Sequence, residues 1–171
     1  MKNINLRGKM KALFLFFFCS ALIAADIDGY WKSINETTGK PQCVVAVYEY
    51  EDLHYGRIIG TYDPNGVMTE TIYNPKGRAP GILGNPFYCG MDLIWALDDA
   101  GSKFKGKIVD PEKGNIYNAE LWVDGDNLIV RGKLLMFGRS QKWLPISLSE
   151  FPKGFKPPDV KKWVPVIPEV N

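Results

Sequence analysis

The stretch Tyr117-Asn118-Ala119-Glu120-Leu121-Trp122-Val123-Asp124-Gly125-Asp126-Asn127-Leu128-Ile129-Val130-Arg131-Gly132-Lys133-Leu134 decides the fold. Tyr117, Ala119, Leu121 and Val123 alternate with Asn118, Glu120 and Trp122; beyond the turn, Leu128, Val130, Gly132, Leu134 and Met136 alternate with Ile129, Arg131 and Lys133. A period of two belongs to a strand with one buried face, because successive side chains point to opposite sides of the backbone. Between the two rows, Asp124-Gly125-Asp126-Asn127 supplies the short side chains and the glycine of a tight reversal. The stretch reads as a hairpin that lays two apolar rows on one side of a sheet.

The same period extends outward. Phe104, Gly106 and Ile108 alternate with Lys103, Lys105 and Lys107, a half-buried strand with a solvated basic face. Upstream, the β-branched and aromatic runs Gln42 to Tyr50 and Leu53 to Gly60 flank Glu51-Asp52, a second hairpin. Gly29-Tyr30-Trp31 opens a first strand, and Met91 to Leu97 and Gln141 to Ile146 add two more. The count is about eight strands in roughly 120 residues, with no sustained apolar period of 3.6. The fold class is therefore all-β, an antiparallel up-and-down meander whose eight strands can close into a barrel.

The interior of such a barrel is either packed solid or holds one small ligand. Ala119 and Gly132, beside Gly106, are small residues on the inward row, which favours a cavity. Its expected wall comprises Trp31, Phe104, Tyr117, Leu121, Val130 and Leu134, with the Gly/Pro/Asn-rich loop of residues 63 to 80 near the mouth. This inward set depends on strand register, since a slip of one residue exchanges the two faces.

Length and charge bound the rest. At 171 residues the chain suits a single domain. Lys2, Arg7, Lys9 and Lys11 precede an apolar run from Ala12 to Ala25 that is shorter than the roughly 20 residues needed to span a bilayer. Residues 1 to 25 are read as a signal peptide cut after Ala25, residues 26 to 150 as the barrel and residues 151 to 171 as a Pro-rich C-terminal arm. The expected location is periplasmic or secreted, with no integral membrane association once the leader is removed. The formal charge is +2 overall; without the leader's four cations it is 17 − 19 = −2, so no attractive overall field draws nucleic acid or an anionic surface. A local patch stays open. Five of the chain's 12 prolines fall after Phe151, and Trp163 in that arm is expected to dock on the barrel or on a partner.

Removing the leader also removes Cys19 and leaves Cys43 and Cys89. In an oxidising compartment the pair can close a disulfide; the alternative is two separately buried thiols. The single histidine, His54, excludes two-His metal sites and limits any triad to one arrangement, and no G-x-S-x-G elbow occurs. It is read as a surface or rim residue. Asp124-Gly125-Asp126-Asn127 lacks the later glutamate of a calcium loop, and no Gly-rich phosphate cradle is present. Glu49, Glu51, Asp52, Asp98 and Asp99 sit at turns or strand ends, as soluble acids do. No catalytic residue, metal or cofactor is expected.

The segments Gly29-Tyr30-Trp31, Asn74-Pro75-Lys76-Gly77-Arg78-Ala79-Pro80-Gly81, Phe104 to Tyr117 and Ser140-Gln141-Lys142-Trp143 together resemble the bacterial family named domain of unknown function 2147. The most specific part is the G-x-I-x-D-P-x-x-G-x-x-Y run, in which Asp110-Pro111 and Gly114 look like a tight turn between two strands. The resemblance covers most of residues 27 to 146 and implies a lipocalin-like barrel outside the cytoplasm. Pro145 stands where a basic residue is expected, so Arg131 or Arg139 would have to cover the first-strand Trp31. The function expected is binding of a small, mostly apolar or amphipathic ligand. The rival is a filled barrel that engages a protein or envelope partner through the tail.

Overall fold

A computed structural model describes residues 26–135 and 137–170, so the leader expected over residues 1 to 25 lies outside the described part. Its strands are β1 (Gly29–Ile34), β2 (Pro41–Tyr50), β3 (Leu53–Tyr62), β4 (Met68–Thr71), β5 (Asp92–Asp99), β6 (Phe104–Asp110), β7 (Asn115–Asp124), β8 (Asn127–Leu134) and β9 (Phe137–Pro145). Pairing is antiparallel throughout. Setting β4 aside, each strand pairs with the next, and β9 returns to β1 through Trp31–Pro145, Lys32–Leu144 and Ser33–Trp143. The result is a closed eight-stranded up-and-down barrel, with β4 added to the end of β3.

The deciding hairpin has the register that its alternation demands. Ala119 pairs with Gly132, Leu121 with Val130 and Val123 with Leu128, around a two-residue loop whose Gly125 takes φ 59°. The β2–β3 hairpin reverses through Glu51 and Asp52 at φ 50° and 63°, so two ordinary residues hold the left-handed conformations that match strand twist in a tight hairpin.

One end of the barrel is sealed. Ile27 is fully buried beneath β1 and its carbonyl accepts the Trp31 indole N–H at 2.8 Å. Phe104, Leu121, Leu128 and Leu97 fill the space beside them. His54 stands at the surface of this closed end, partly exposed: its ring meets Phe104 edge-on at 4.9 Å and its Nδ1 lies 2.7 Å from Asp28. The arginines expected over Trp31 are elsewhere. Arg139 pairs with Glu36 at 2.7 Å, and Arg131 lies opposite Glu120. The N-terminal segment takes their role because Ile27 brings both an apolar side chain and the acceptor that the indole needs.

Val44 to Tyr48 is buried on both faces of β2. Val45 and Val47 point into the barrel, while Val44, Ala46 and Ile59 form a second, outer cluster with Ile146 and Phe151. The cover is the C-terminal arm. After β9 it makes a 3-10 turn at Leu148–Glu150, stacks Phe151 on Phe155 at 4.3 Å, and brings Trp163 to within 5.0 Å of Tyr48. Beneath it lies a buried ion pair, Arg57 Nη2 to Asp92 Oδ2 at 2.9 Å. Asp92 also accepts from the Tyr48 hydroxyl and the Val166 N–H, and Arg57 donates to the Val164 carbonyl at 2.7 Å. A charge is tolerated out of water only when paired and hydrogen-bonded, and here the arm supplies part of that shell. Beyond it, Leu83 N–H donates to Glu169 O at 2.7 Å and Ile82 bridges Val170.

Candidate functional site

Opposite the floor, the barrel opens into a cavity of about 1440 Å³. Its apolar wall is built by Ile58, Leu93, Ile108, Tyr117, Val130 and Trp143. Neutral polar groups on the wall include Ser33, Cys43, Thr61 and Gln141, the last accepting the Trp143 indole N–H at 3.2 Å. Charge gathers at the mouth, where Lys40, Asp63, Glu70, Asp110, Lys113 and Arg139 border the opening. The site is thus apolar at depth and ionic at its rim.

Of the six residues expected in the wall, the structure places Tyr117, Val130 and Leu134 on the cavity. Trp31, Phe104 and Leu121 point inward but belong to the floor cluster, buried beneath the open space. The inward parity of these six was readable, whereas which half of the barrel is plugged depends on where Ile27 and Asp28 fold. Alternation missed Ile58, because β-bulges on both edges of β3 break its period. The small-residue argument also divides. Gly132 borders the cavity, with its nearest side-chain atoms 3.7 Å from an added Cβ. Gly106 makes no room: a Cβ there would lie 2.6 Å from the Trp95 carbonyl oxygen, because β5 bulges inward at Ala96 with φ 52°.

The segment of residues 63 to 80 is not loop throughout, because Met68–Thr71 pairs with β3 as β4; it reaches the mouth through Asp63, Pro64, Glu70 and Gly77. It is pinned from both ends. Glu70 Oε2 accepts the N–H groups of Lys76 and Gly77 at 2.9 Å each. Gly81 lies against the β6–β7 turn, its N–H on the Pro111 carbonyl at 2.9 Å, with no space for a Cβ between it and Gly114 N. Asp110 shapes that turn by accepting the N–H groups of Glu112 and Lys113, and Tyr88 ties the next segment to Glu112.

Cys43 and Cys89 are free thiols, so the expected bridge is absent. Cys43 Sγ is instead hydrogen-bonded with Ser33 Oγ at 3.1 Å, and Cys89 packs into the main core. Burial pushes the Cys43 thiol up to about 11 and Cys89 to about 12, and Tyr62 at the rim to about 12, chiefly by the same desolvation. These groups are neutral near pH 7. The wall therefore presents hydrogen-bonding but uncharged groups, and the imidazole that could activate Ser33 or Cys43 is committed to the floor.

A family model, DUF2147, described as an uncharacterized protein conserved in bacteria, matches residues 29–144. The chain belongs to the DUF2147 family. Among solved structures, protein HP1028 from the human pathogen Helicobacter pylori, which belongs to the lipocalin family, superposes with a TM-score of 0.58 at 18% identity. The alignment covers 74% of this chain and 87% of that one, and shows a shared lipocalin-like barrel. No curated protein matches. In this DUF2147 chain the two motif segments around Gly81 and Gly114 meet at the cavity mouth, so the glycines that carry the resemblance hold the rim together.

Proposed function

We propose that this DUF2147 chain is an exported binder or carrier of a small molecule, mostly apolar with a polar end, held in the barrel. The observation that carries this reading is the cavity itself. At about 1440 Å³ it exceeds the roughly 300 to 1,000 Å³ of ordinary small-molecule pockets, which suits a long-chain, lipid-sized ligand. The ligand's apolar part would contact Ile108, Tyr117 and Val130, and its polar end would meet Lys40, Lys113 or Arg139 at the rim. The lipocalin-like fold supports binding in general. The cationic, apolar leader supports export to the periplasm or the medium, which N-terminal sequencing of protein recovered from outside the cytoplasm tests.

Native mass spectrometry of residues 26 to 171, followed by organic extraction, tests the binding itself. A small molecule that travels with the protein and is released by solvent is the expected result. Filling the wall supplies the control. Gly132 has room for a side chain, so Gly132→Leu should leave the melting temperature within about 4 °C. It should also cut retained ligand, or the affinity for an apolar fluorescent probe, at least about tenfold. Unchanged probe affinity in that variant would place binding outside the barrel. The tail-mediated alternative is disfavoured because Trp163 and Phe151 are occupied by the chain's own barrel.

A further inference from the structure

At the connection between β8 and β9, three large apolar residues among the described ones are left uncovered. Leu134 is 60% exposed, Leu135 89% and Phe137 82%. Consecutive exposed side chains of this size are unusual on a protein that stays in water. Leu134 and Phe137 also border the cavity, so the tip stands at the mouth.

The strands that carry the tip are basic, whereas the rest of the mouth carries Asp63, Glu70, Asp110 and Glu112. The whole segment from Asn127 to Pro145 contains Arg131, Lys133, Arg139 and Lys142 and no acidic residue. Strand register carries this basic face sideways. Lys107, Asn118 and Lys133 form one cross-strand row on the outside of β6, β7 and β8, and Lys105, Glu120 and Arg131 form the next. Lys103 follows, its ammonium 4.2 Å from the Trp122 ring centre. Within these rows Glu120 is the one carboxylate among the described residues, and Lys103 and Lys133 share it. Asp98 stands opposite Lys105 on β5, and Glu36 holds Arg139.

We infer that the barrel docks side-on on an anionic phospholipid surface, with Leu134, Leu135 and Phe137 inserted and the basic outer face of β6 to β9 against the headgroups. Geometry fits this occupant. Lys133 immediately precedes the tip and Arg139 follows Phe137 by two residues; at about 3.3 Å per residue both cations lie within about 7 Å of it. Interfacial elements bury their apolar side roughly 5 to 10 Å below the headgroups, with Lys and Arg stems reaching back to the phosphates. A protruding tip is accommodated by a fluid apolar phase without a matching pocket. The net charge of −2 after the leader does not oppose docking, because surface potentials act within about a Debye length, roughly 10 Å at 0.1 M salt. Docked in this way, the cavity mouth stands beside the lipid surface, because Leu134 and Phe137 border its opening.

Flotation of residues 26 to 171 with vesicles tests this; the apolar leader is omitted because it would bind lipid by itself, and the barrel and arm lie entirely after it. Vesicles of phosphatidylcholine alone are compared with equal parts of phosphatidylcholine and phosphatidylglycerol. Co-flotation with the anionic vesicles, weakened by salt, is expected. Leu135→Ser with Phe137→Ser should lower it about tenfold. Lys105→Gln, Lys107→Gln and Lys142→Gln together should lower it about tenfold on anionic vesicles only. All five side chains are exposed, so circular dichroism should not change. Absence of co-flotation, or co-flotation that both variants retain, overturns the inference. So does a dimer in light scattering that the tip variant dissolves, which would assign the tip to a second copy of the chain. Ligand retention is measured separately by native mass, so an empty cavity leaves the docking result intact.

Discussion

Gly81 and Gly114 meet backbone to backbone. A Cβ on Gly81 would lie 2.2 Å from Gly114 N and 2.7 Å from the Lys113 carbonyl carbon, and Gly114 itself sits at φ 71°. Both neighbours are main chain, so nothing can rotate aside. Gly81→Ala is expected to cost about 2 to 3 kcal/mol, measured by urea unfolding, and to loosen the loop at the mouth. Gly84→Ala, which meets nothing within 4 Å but is strained at φ 77°, should cost only about 1 kcal/mol. The thiols make a second test at this scale. With burial holding Cys43 near 11 and Cys89 near 12, well under one per cent of either is thiolate at about pH 8. Iodoacetamide should label neither in the folded protein and both after denaturation without reductant. A single unreactive, oxidised species in denaturant would restore the disulfide. The identity and inward direction of Tyr117, Val130 and Leu134 were legible in the alternation. The partner of Cys43 was not, because Ser33 is ten residues away and reaches it only through the β1–β2 register.

Among the elements, β2 shows how tertiary cover alters a pattern. A strand with one wet face alternates, yet Val44 to Tyr48 reads as one continuous apolar run because the C-terminal arm dries the outside. The arm is consequently a structural part of the barrel wall. Asp92→Ala should be strongly destabilising, by about 3 to 5 kcal/mol, since it strands the Arg57 guanidinium in a buried site. Chemical denaturation of that variant measures it. Deleting residues 151 to 171 strips Trp163, Val164 and Val166 from the same pair and uncovers Ile59 and Val44. It should lower the melting temperature markedly and raise binding of a hydrophobic dye. Intact thermal stability after that deletion would mean that the arm is a dispensable appendage. A buried Asp92 could not be foreseen from its position beside Leu93, because its partners come from β2, β3 and the arm.

At the scale of the whole molecule, closure at one end and opening at the other give the barrel a floor and a mouth. The Asp28–His54 pair clasps the N-terminal segment to β3 across the closed end. The Asp28 hydrogen bond raises the His54 pKa above its ordinary value, partly offset by burial. A raised folded-state value means that the stabilisation is fully present below the unfolded imidazole value of about 6.5 and is lost as pH rises through the folded one. Unfolding at about pH 5.5 and about pH 8.5 should show the wild type losing stability on the alkaline side relative to His54→Gln. Parallel pH profiles would mean that the pair contributes nothing to sealing the floor.

The all-β class, the eight barrel strands, the hairpins and the inward rows were legible in the amino-acid sequence, because these follow from a period of two and from turn residues a few positions apart; β4 was not, because its four residues pair only with the end of β3. The sequence also carried the family, through the G-x-I-x-D-P-x-x-G-x-x-Y run and the three shorter segments that accompany it. Long-range packing sets which end is sealed, which inward residues border open space and what covers the outside of β2. Those outcomes rest on contacts between segments distant in the chain: Ile27 under Trp31, the β5 bulge against Gly106, and the arm over Arg57 and Asp92. No local pattern encodes such meetings, since each depends on the barrel having already closed.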